Sequence, residues 1–242
     1  LALARKGEGQ TRPNPPVGAV VVCRGVRVGR GYHHRAGGPH AEVLALRAAG
    51  KRARGATLYV TLEPCSSWGR TPPCTGAVIA AGISRVVLAT RDPNPAHAGR
   101  AVRILRRAGV RITEEVCAEE AGELIAPFAK WITTGRPYVT LKMGMSLDGR
   151  IADYHGRSRW ITGEPSRARV RALRERADAV MVGGRTARLD NPSLLPTPGN
   201  TRLYRIIVDS KGCLPATAKV LNDGHAGQTI IATTGRCSLA AR

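Results

Sequence analysis

The stretch VGAVVVCRGVRVGRGYHHRAGGPHAEVLALRAAG, residues 17–50, decides the fold class. Val17–Cys23 and Val26–Tyr32 are β-rich runs that meet at Arg24-Gly25, a short hairpin signal. His40–Ala49 follows, with Ala41, Val43, Leu44, Leu46 and Ala48 ahead of Gly50, which reads as a helix and its stop. Two strands leading into a helix begin a layered α/β fold. The alternation continues outward: a strand at Thr57–Leu62, a helix at Thr75–Ala81, a strand at Arg85–Ala89, a helix at Arg100–Ala108 and a strand at Val110–Thr113. A helix over Glu119–Thr133 carries Leu124, Ile125, Phe128 and Ile132 at helical spacing.

Thr134-Gly135-Arg136-Pro137 is the clearest break, with Gly past a helix end and Pro closing it. The expected domains are therefore residues 1–134 and 138–242. The second shows a strand at Tyr138–Met143, a helix at Ser166–Ala177 and strands at Ala179–Gly183, Arg205–Asp209 and Thr229–Thr233. Leu1 to Gly9 reads as the tail of a helix and not as a signal peptide, and the second series stops without a closing element. A chain truncated at its C-terminus is the expectation.

Over 242 residues, 38 Lys+Arg against 17 Asp+Glu give a formal charge of +21. With 43% hydrophobic residues this is a folded protein and not a disordered basic tail. No apolar run approaches the roughly 20 residues of a membrane-spanning helix. The six cysteines lie in a chain large enough to fold without staples, so a reducing cytoplasm is expected. Cys23, Cys117, Cys213 and Cys237 read as small apolar residues, and His34, His97, His155 and His225 as surface residues.

His40-Ala41-Glu42 opens one helix, and Cys65 and Cys74, with eight residues between them, flank the start of another. One imidazole and two thiolates leave a tetrahedral zinc its fourth position for water. On an ideal helix, residues i and i+2 point about 200° apart, so His40 is a ligand and Glu42 the proton carrier. Such a zinc acidifies its water, and the order H-x-E then P-C is that of the zinc deaminases, although nucleobase deaminases have two residues between the cysteines.

Asn14-Pro15-Pro16-Val17-Gly18, Gly31-Tyr32-His33, Pro39-His40-Ala41-Glu42, Glu63-Pro64-Cys65 and Gly69-Arg70-Thr71-Pro72-Pro73-Cys74 resemble the deaminase half of the bifunctional riboflavin-biosynthesis deaminase/reductase family, whose own spacing this is. Lys142 to Gly149, Ser158-Arg159-Trp160-Ile161-Thr162, Gly184-Arg185-Thr186 and Asp190-Asn191-Pro192 resemble its reductase half. The resemblance implies a cytidine-deaminase-like three-layer domain followed by an incomplete dihydrofolate-reductase-like α/β domain. It implies zinc on His40, Cys65 and Cys74, proton transfer by Glu42, and NADPH as the second cofactor. Substrate positions are Asn14, His33, Arg70, Ser158, Arg174 and Leu194; cofactor positions are Gly144, Trp160, Thr186, Asp190 and Ser210. The implied substrate is a phosphorylated diaminopyrimidinone, which is deaminated before its ribose is reduced to a ribityl chain.

Three departures stand out. Ser67 and Trp68 replace the family's frequent histidine, Thr197 replaces a basic residue, and no Glu-Gly-Gly phosphate loop follows Thr233. Weak or absent NADPH oxidation is therefore expected, and a homo-oligomer is the expected assembly. The charge also suggests a nucleic-acid (tRNA adenosine or cytosine) deaminase using the same zinc site. Against it, aromatic residues are 4% with one Phe, and the basic residues are scattered, so stacking platforms are scarce. A purely structural zinc would not explain Glu42.

Overall fold

The computed structural model describes residues 1–196 and 203–237, so Thr197 lies outside the described residues. The chain divides into two compact units, Leu1–Thr140 and Leu141–Arg242. Among the described residues no helix is long and apolar enough to cross a membrane.

In the first unit a short α1 (Ala2–Arg5) precedes the hairpin of β1 (Gly18–Cys23) and β2 (Val26–Tyr32), then α2 (Ala41–Ala49) and β3 (Thr57–Val60). α3 (Cys74–Ala80), β4 (Arg85–Leu88), α4 (Arg100–Arg107), β5 (Arg111–Thr113) and α5 (Ala118–Thr134) complete it. The sheet order is β2-β1-β3-β4-β5, antiparallel from β2 to β3 and parallel from β3 to β5. Strand alternation divides its faces. On β1, Ala19 and Val21 pair with Gly31 and Gly29, whereas Gly18 turns the other way and lies against Ala4 of α1. Ala41, Ala45 and Ala49, at i, i+4 spacing, form the stripe of α2 that meets the two β2 glycines. Helices therefore cover both faces of the sheet, and Val21, Leu58, Val78, Val86, Leu88 and Leu105 fill the core on the α2 side.

The second unit contains α6 (Glu164–Arg176), β6 (Ala179–Gly183), α7 (Gly184–Asp190), β7 (Tyr204–Val208), α8 (Lys219–Asn222) and β8 (Thr229–Ala232). Its sheet is parallel in the order β6-β7-β8. The strand expected over Tyr138–Met143 is absent: the segment belongs to neither sheet, and Val139 and Leu141 are exposed. Alternating apolar residues need a neighbouring strand to become β structure, and none of the described strands runs beside them. α7 was not expected from Gly183-Gly184, which reads as a turn; the chain instead passes directly from β6 into a helix with Gly183 as its N-cap.

The small core of this unit, Ala187, Leu194, Ile207, Ala218 and Val220, surrounds a cation. Arg205 on β7 is fully buried, and its guanidinium meets both Asp223 oxygens at 2.6 and 2.9 Å and donates to the Ser193 and Val220 carbonyls at 3.1 and 3.0 Å. Hydrogen bonding to Arg205 holds the Asp223 carboxyl below its ordinary range. A depressed folded-state value means that this contribution is complete above the unfolded pKa of about 3.9 and is lost as pH falls through the lower folded value. Replacing Arg205 by Met should cost about 2 kcal/mol, since two buried carbonyls lose their donor while Asp223, 27% exposed, regains water. Faster hydrogen exchange of the β7 amides would report it; unchanged exchange would remove the pair from the stability of the unit.

Candidate active site and metal centre

Three chain segments converge where α2 and α3 begin. His40 is the N-cap of α2 with extended backbone (φ −73°, ψ 161°), so the helical 200° separation from Glu42 does not apply to it. One residue outside the helix, its ring is free to turn toward Cys65 and Cys74. His40 Nδ1 lies 3.4 Å from Cys65 Sγ and 3.3 Å from Cys74 Sγ. The three donor atoms lie within 4.8 Å of one another. A tetrahedral zinc sets a sulfur-to-nitrogen edge of about 3.6 Å, and a set of one imidazole and two sulfurs suits that metal, so the residues fit the ion. Cys65 Sγ also accepts from the Cys74 backbone N–H at 3.2 Å, the first amide of α3. Hydrogen bonds from the Cys74 thiol, from His40 and from this amide pull the Cys65 thiol down to about 4, while the same contact with Cys65, together with burial, pushes the Cys74 thiol up. The contact between the two sulfurs thus favours the thiolate at Cys65 over Cys74.

Glu42, in the first turn of α2, is 3% exposed. Burial pushes its carboxyl up to about 7, against a hydrogen bond from its own backbone N–H and one from the Cys74 thiol. It stands outside the three-ligand set, as a proton carrier must. His40 Nε2 faces the Thr71 hydroxyl at 3.4 Å, which gives the ligand ring its outer partner. Thr71 lies in the eight-residue segment between the cysteines, so in this chain that segment supplies the contact. In the same segment Ser67 is half-buried and Trp68 is 77% exposed.

Asn14 and His33 are brought together. His33 is buried; its Nδ1 donates to the Pro39 carbonyl at 3.1 Å, and its Nε2, left as acceptor, takes the Asn14 amide at 3.1 Å. Burial lowers its pKa, which favours that neutral ring, and the ring stands edge-on to His40 at 5.1 Å. Both ring nitrogens are therefore engaged within the protein. Arg70 lies on the surface, its side chain against Gly37.

Sequence reasoning missed the loop 91–99 and its anchor. Glu63, quoted only as part of Glu63-Pro64-Cys65, is buried and accepts four backbone N–H groups from this loop and from α4. The signal was a carboxylate closing an apolar strand two residues before a metal ligand. Burial raises the Asp92 carboxyl, against the Asn94 amide and the charge of His97, which lower it. His97, expected at the surface, is half-buried, and its Nδ1 is enclosed with no hydrogen-bond partner among the described residues. Of the remaining cysteines, Cys237 is buried and Cys23 half-buried, but Cys117 and Cys213 are exposed and do not pack as small apolar residues.

In the second unit, Ser158 donates to the Asp190 carboxylate at 3.2 Å, and Arg159 donates to the Asp190 carbonyl. Trp160 is 69% exposed, with the Arg159 and Arg167 guanidiniums at 5.5 and 4.5 Å from its ring. Arg174 donates to the Leu195 carbonyl at 3.2 Å, next to the buried Leu194. Gly144 lies against Lys142 and Thr162. Thr186, on α7, and Ser210 follow the C-terminal ends of β6 and β7, which pair through Gly183 and Val208. Open α/β sheets bind ligands at that edge.

The first unit is therefore a cytidine-deaminase-like domain with a zinc-type ligand set, and the second is an open parallel α/β domain. The family model of the cytidine and deoxycytidylate deaminase zinc-binding region matches residues 1–90, and that of the RibD C-terminal domain matches residues 137–241. The riboflavin biosynthesis protein RibD of Aquifex aeolicus is 52% identical over 96% of this chain and 65% of its own length; that of Escherichia coli is 44% identical over 97% and 67%. Among solved structures, a diaminohydroxyphosphoribosylaminopyrimidine deaminase/5-amino-6-(5-phosphoribosylamino)uracil reductase from Thermotoga maritima aligns with TM-score 0.88 and 43% identity, over 96% of this chain and 67% of that one. Acinetobacter baumannii RibD aligns with TM-score 0.86 and 42% identity over 97% and 67%. The chain belongs to the RibD family of riboflavin biosynthesis proteins. It spans about two thirds of the length of these relatives.

Proposed function

We propose that the chain deaminates 2,5-diamino-6-ribosylamino-4(3H)-pyrimidinone 5′-phosphate within residues 1–134, and that residues 138–242 belong to an NADPH-dependent reductase domain converting the ribose to a ribityl chain. The observation that carries the reading is the convergence of His40, Cys65 and Cys74 with the buried carboxyl of Glu42 beside them. Zinc held by these three ligands would supply an acidified water as nucleophile. Glu42, raised to about 7 by burial, takes a proton from the attacking water and delivers it to the departing amine, which leaves as ammonia. His33 orients the Asn14 amide, and Asn14 with Arg70 holds the substrate, Arg70 through its phosphate. In the second half Ser158, Arg174 and the main chain at Leu194, whose side chain is in the core, hold the substrate, and Gly144, Trp160, Thr186, Asp190 and Ser210 hold NADPH; the position of Thr186 and Ser210 at one sheet edge supports this.

The test is incubation of the zinc-loaded protein with this phosphate, with and without NADPH, following ammonia and NADPH absorbance separately. Ammonia should appear in both arms. No ammonia from a zinc-replete preparation overturns the reading. A nucleic-acid deaminase is not favoured, because the matching relatives extend over both halves of the chain.

A further inference from the structure

We propose that Glu63 is a positioning residue of the metal centre, one carboxylate that fixes the Cys65 ligand and the 91–99 loop relative to each other. Its backbone N–H donates to the Thr90 carbonyl at 2.9 Å, so the main chain is already held where β3 gives way to Pro64-Cys65. Its Oε2 accepts the Asp92 and Gly99 amides at 3.2 and 2.8 Å, which closes the loop at both ends. Its Oε1 accepts the Ala101 and Val102 amides at 2.9 and 3.3 Å. Those two belong to the first turn of α4, whose own N-cap, Gly99, has no side chain to offer. A carboxylate at a helix N-terminus gains from the unpaired amides and from the helix dipole. Here the capping group comes from 36 to 39 residues upstream and stands two residues before a metal ligand. Moving Cys65 therefore moves the cap, and loosening the loop loosens Cys65. The loop has its own internal order, since Asp92 Oδ1 accepts the Asn94 amide at 2.9 Å and Asn94 Oδ1 the Ala96 amide at 3.0 Å. It is fastened to the site as a preformed piece.

Glutamine at this position keeps the size but presents an NH2 group to amides that require an acceptor. The inference rests on the zinc reading of the site, and its test separates the two. Zinc affinity is measured by chelator competition on the full chain for Glu63→Gln and for Leu105→Ala, a buried α4 residue whose loss destabilises the same helix without touching the carboxylate. Glu63→Gln should weaken zinc binding tenfold or more, the effect of losing an outer support of a metal ligand, and Leu105→Ala less than threefold. In the unmutated protein, zinc should also slow hydrogen exchange at the Gly99, Ala101 and Val102 amides, a measurement that stands even if Glu63→Gln does not fold. Equal zinc loss in the two variants, or no change at these amides, overturns the proposal. Zinc bound without ammonia release overturns only the deaminase reading, and a chain that takes up no zinc overturns both.

Discussion

Glu42→Gln is expected to keep about one zinc per chain and to lose ammonia release by roughly 10³-fold, within the range general acid–base groups contribute. The substitution preserves size and leaves His40, Cys65 and Cys74 in place, because Glu42 is outside the ligand set. What disappears is a group that both accepts and returns a proton near neutral pH. Burial sets the Glu42 carboxyl at about 7, close to the working pH of a general base. The check is zinc content beside initial rates of ammonia release at fixed substrate. Retained turnover would remove Glu42 from the mechanism, and loss of zinc would make it a support of the metal instead.

Gly31→Ala is expected to cost about 3 kcal/mol, at the upper end of overpacking, and to lower turnover by about 10²-fold. A Cβ on Gly31 would stand 2.5 Å from Leu44 Cβ, 2.6 Å from the Ala41 carbonyl oxygen and 2.8 Å from the Ala45 amide. Two of these are backbone atoms of α2, which cannot rotate aside, so the helix must lift off the strand. The turn that moves carries Glu42, with His40 immediately before it. Gly29 repeats the contact further along α2, where a Cβ would meet the Ala45 oxygen at 2.2 Å. Gly122→Ala is the control: it sits in α5 with open space around it and should be neutral or gain about 1 kcal/mol. Thermal unfolding and ammonia release together decide the case; a Gly31→Ala protein as stable and active as the parent would show that the helix yields freely.

The strands and helices of the first unit were legible because hydrophobic period and Gly stops coincide there, and the ligand triplet because its residue types are rare at that order. The close approach at the β2 glycines was not legible, since nothing local says that a helix backbone lies on them. Glu63 was visible only as a carboxylate closing an apolar strand; what it holds could not be read, because its partners are 29 to 39 residues away and are amides, which every residue carries. Arg205 is the reverse case. A cation inside a β run reads as a solvated face, and only the return of Asp223 from beyond β7 makes its burial possible. Tyr138–Met143 has strand composition without a strand beside it, which composition cannot reveal.

The two cysteines are tied to each other twice without help from the chain between them, by the Cys74 amide on Cys65 sulfur and by the Thr75 amide on the Cys65 carbonyl at 3.2 Å. Residues 66–73 thus form an excursion closed at its base; Thr71, through His40, and Arg70, the proposed phosphate contact, tie its far part to the site, whereas changing residues 66–69 costs little in closure entropy. Mutational drift can rewrite that stretch while the metal ligands stay in place. Ser67 and Trp68 fall there, so the unusual residues of this chain sit where a lineage can alter what its enzyme meets at the surface without rebuilding its chemistry.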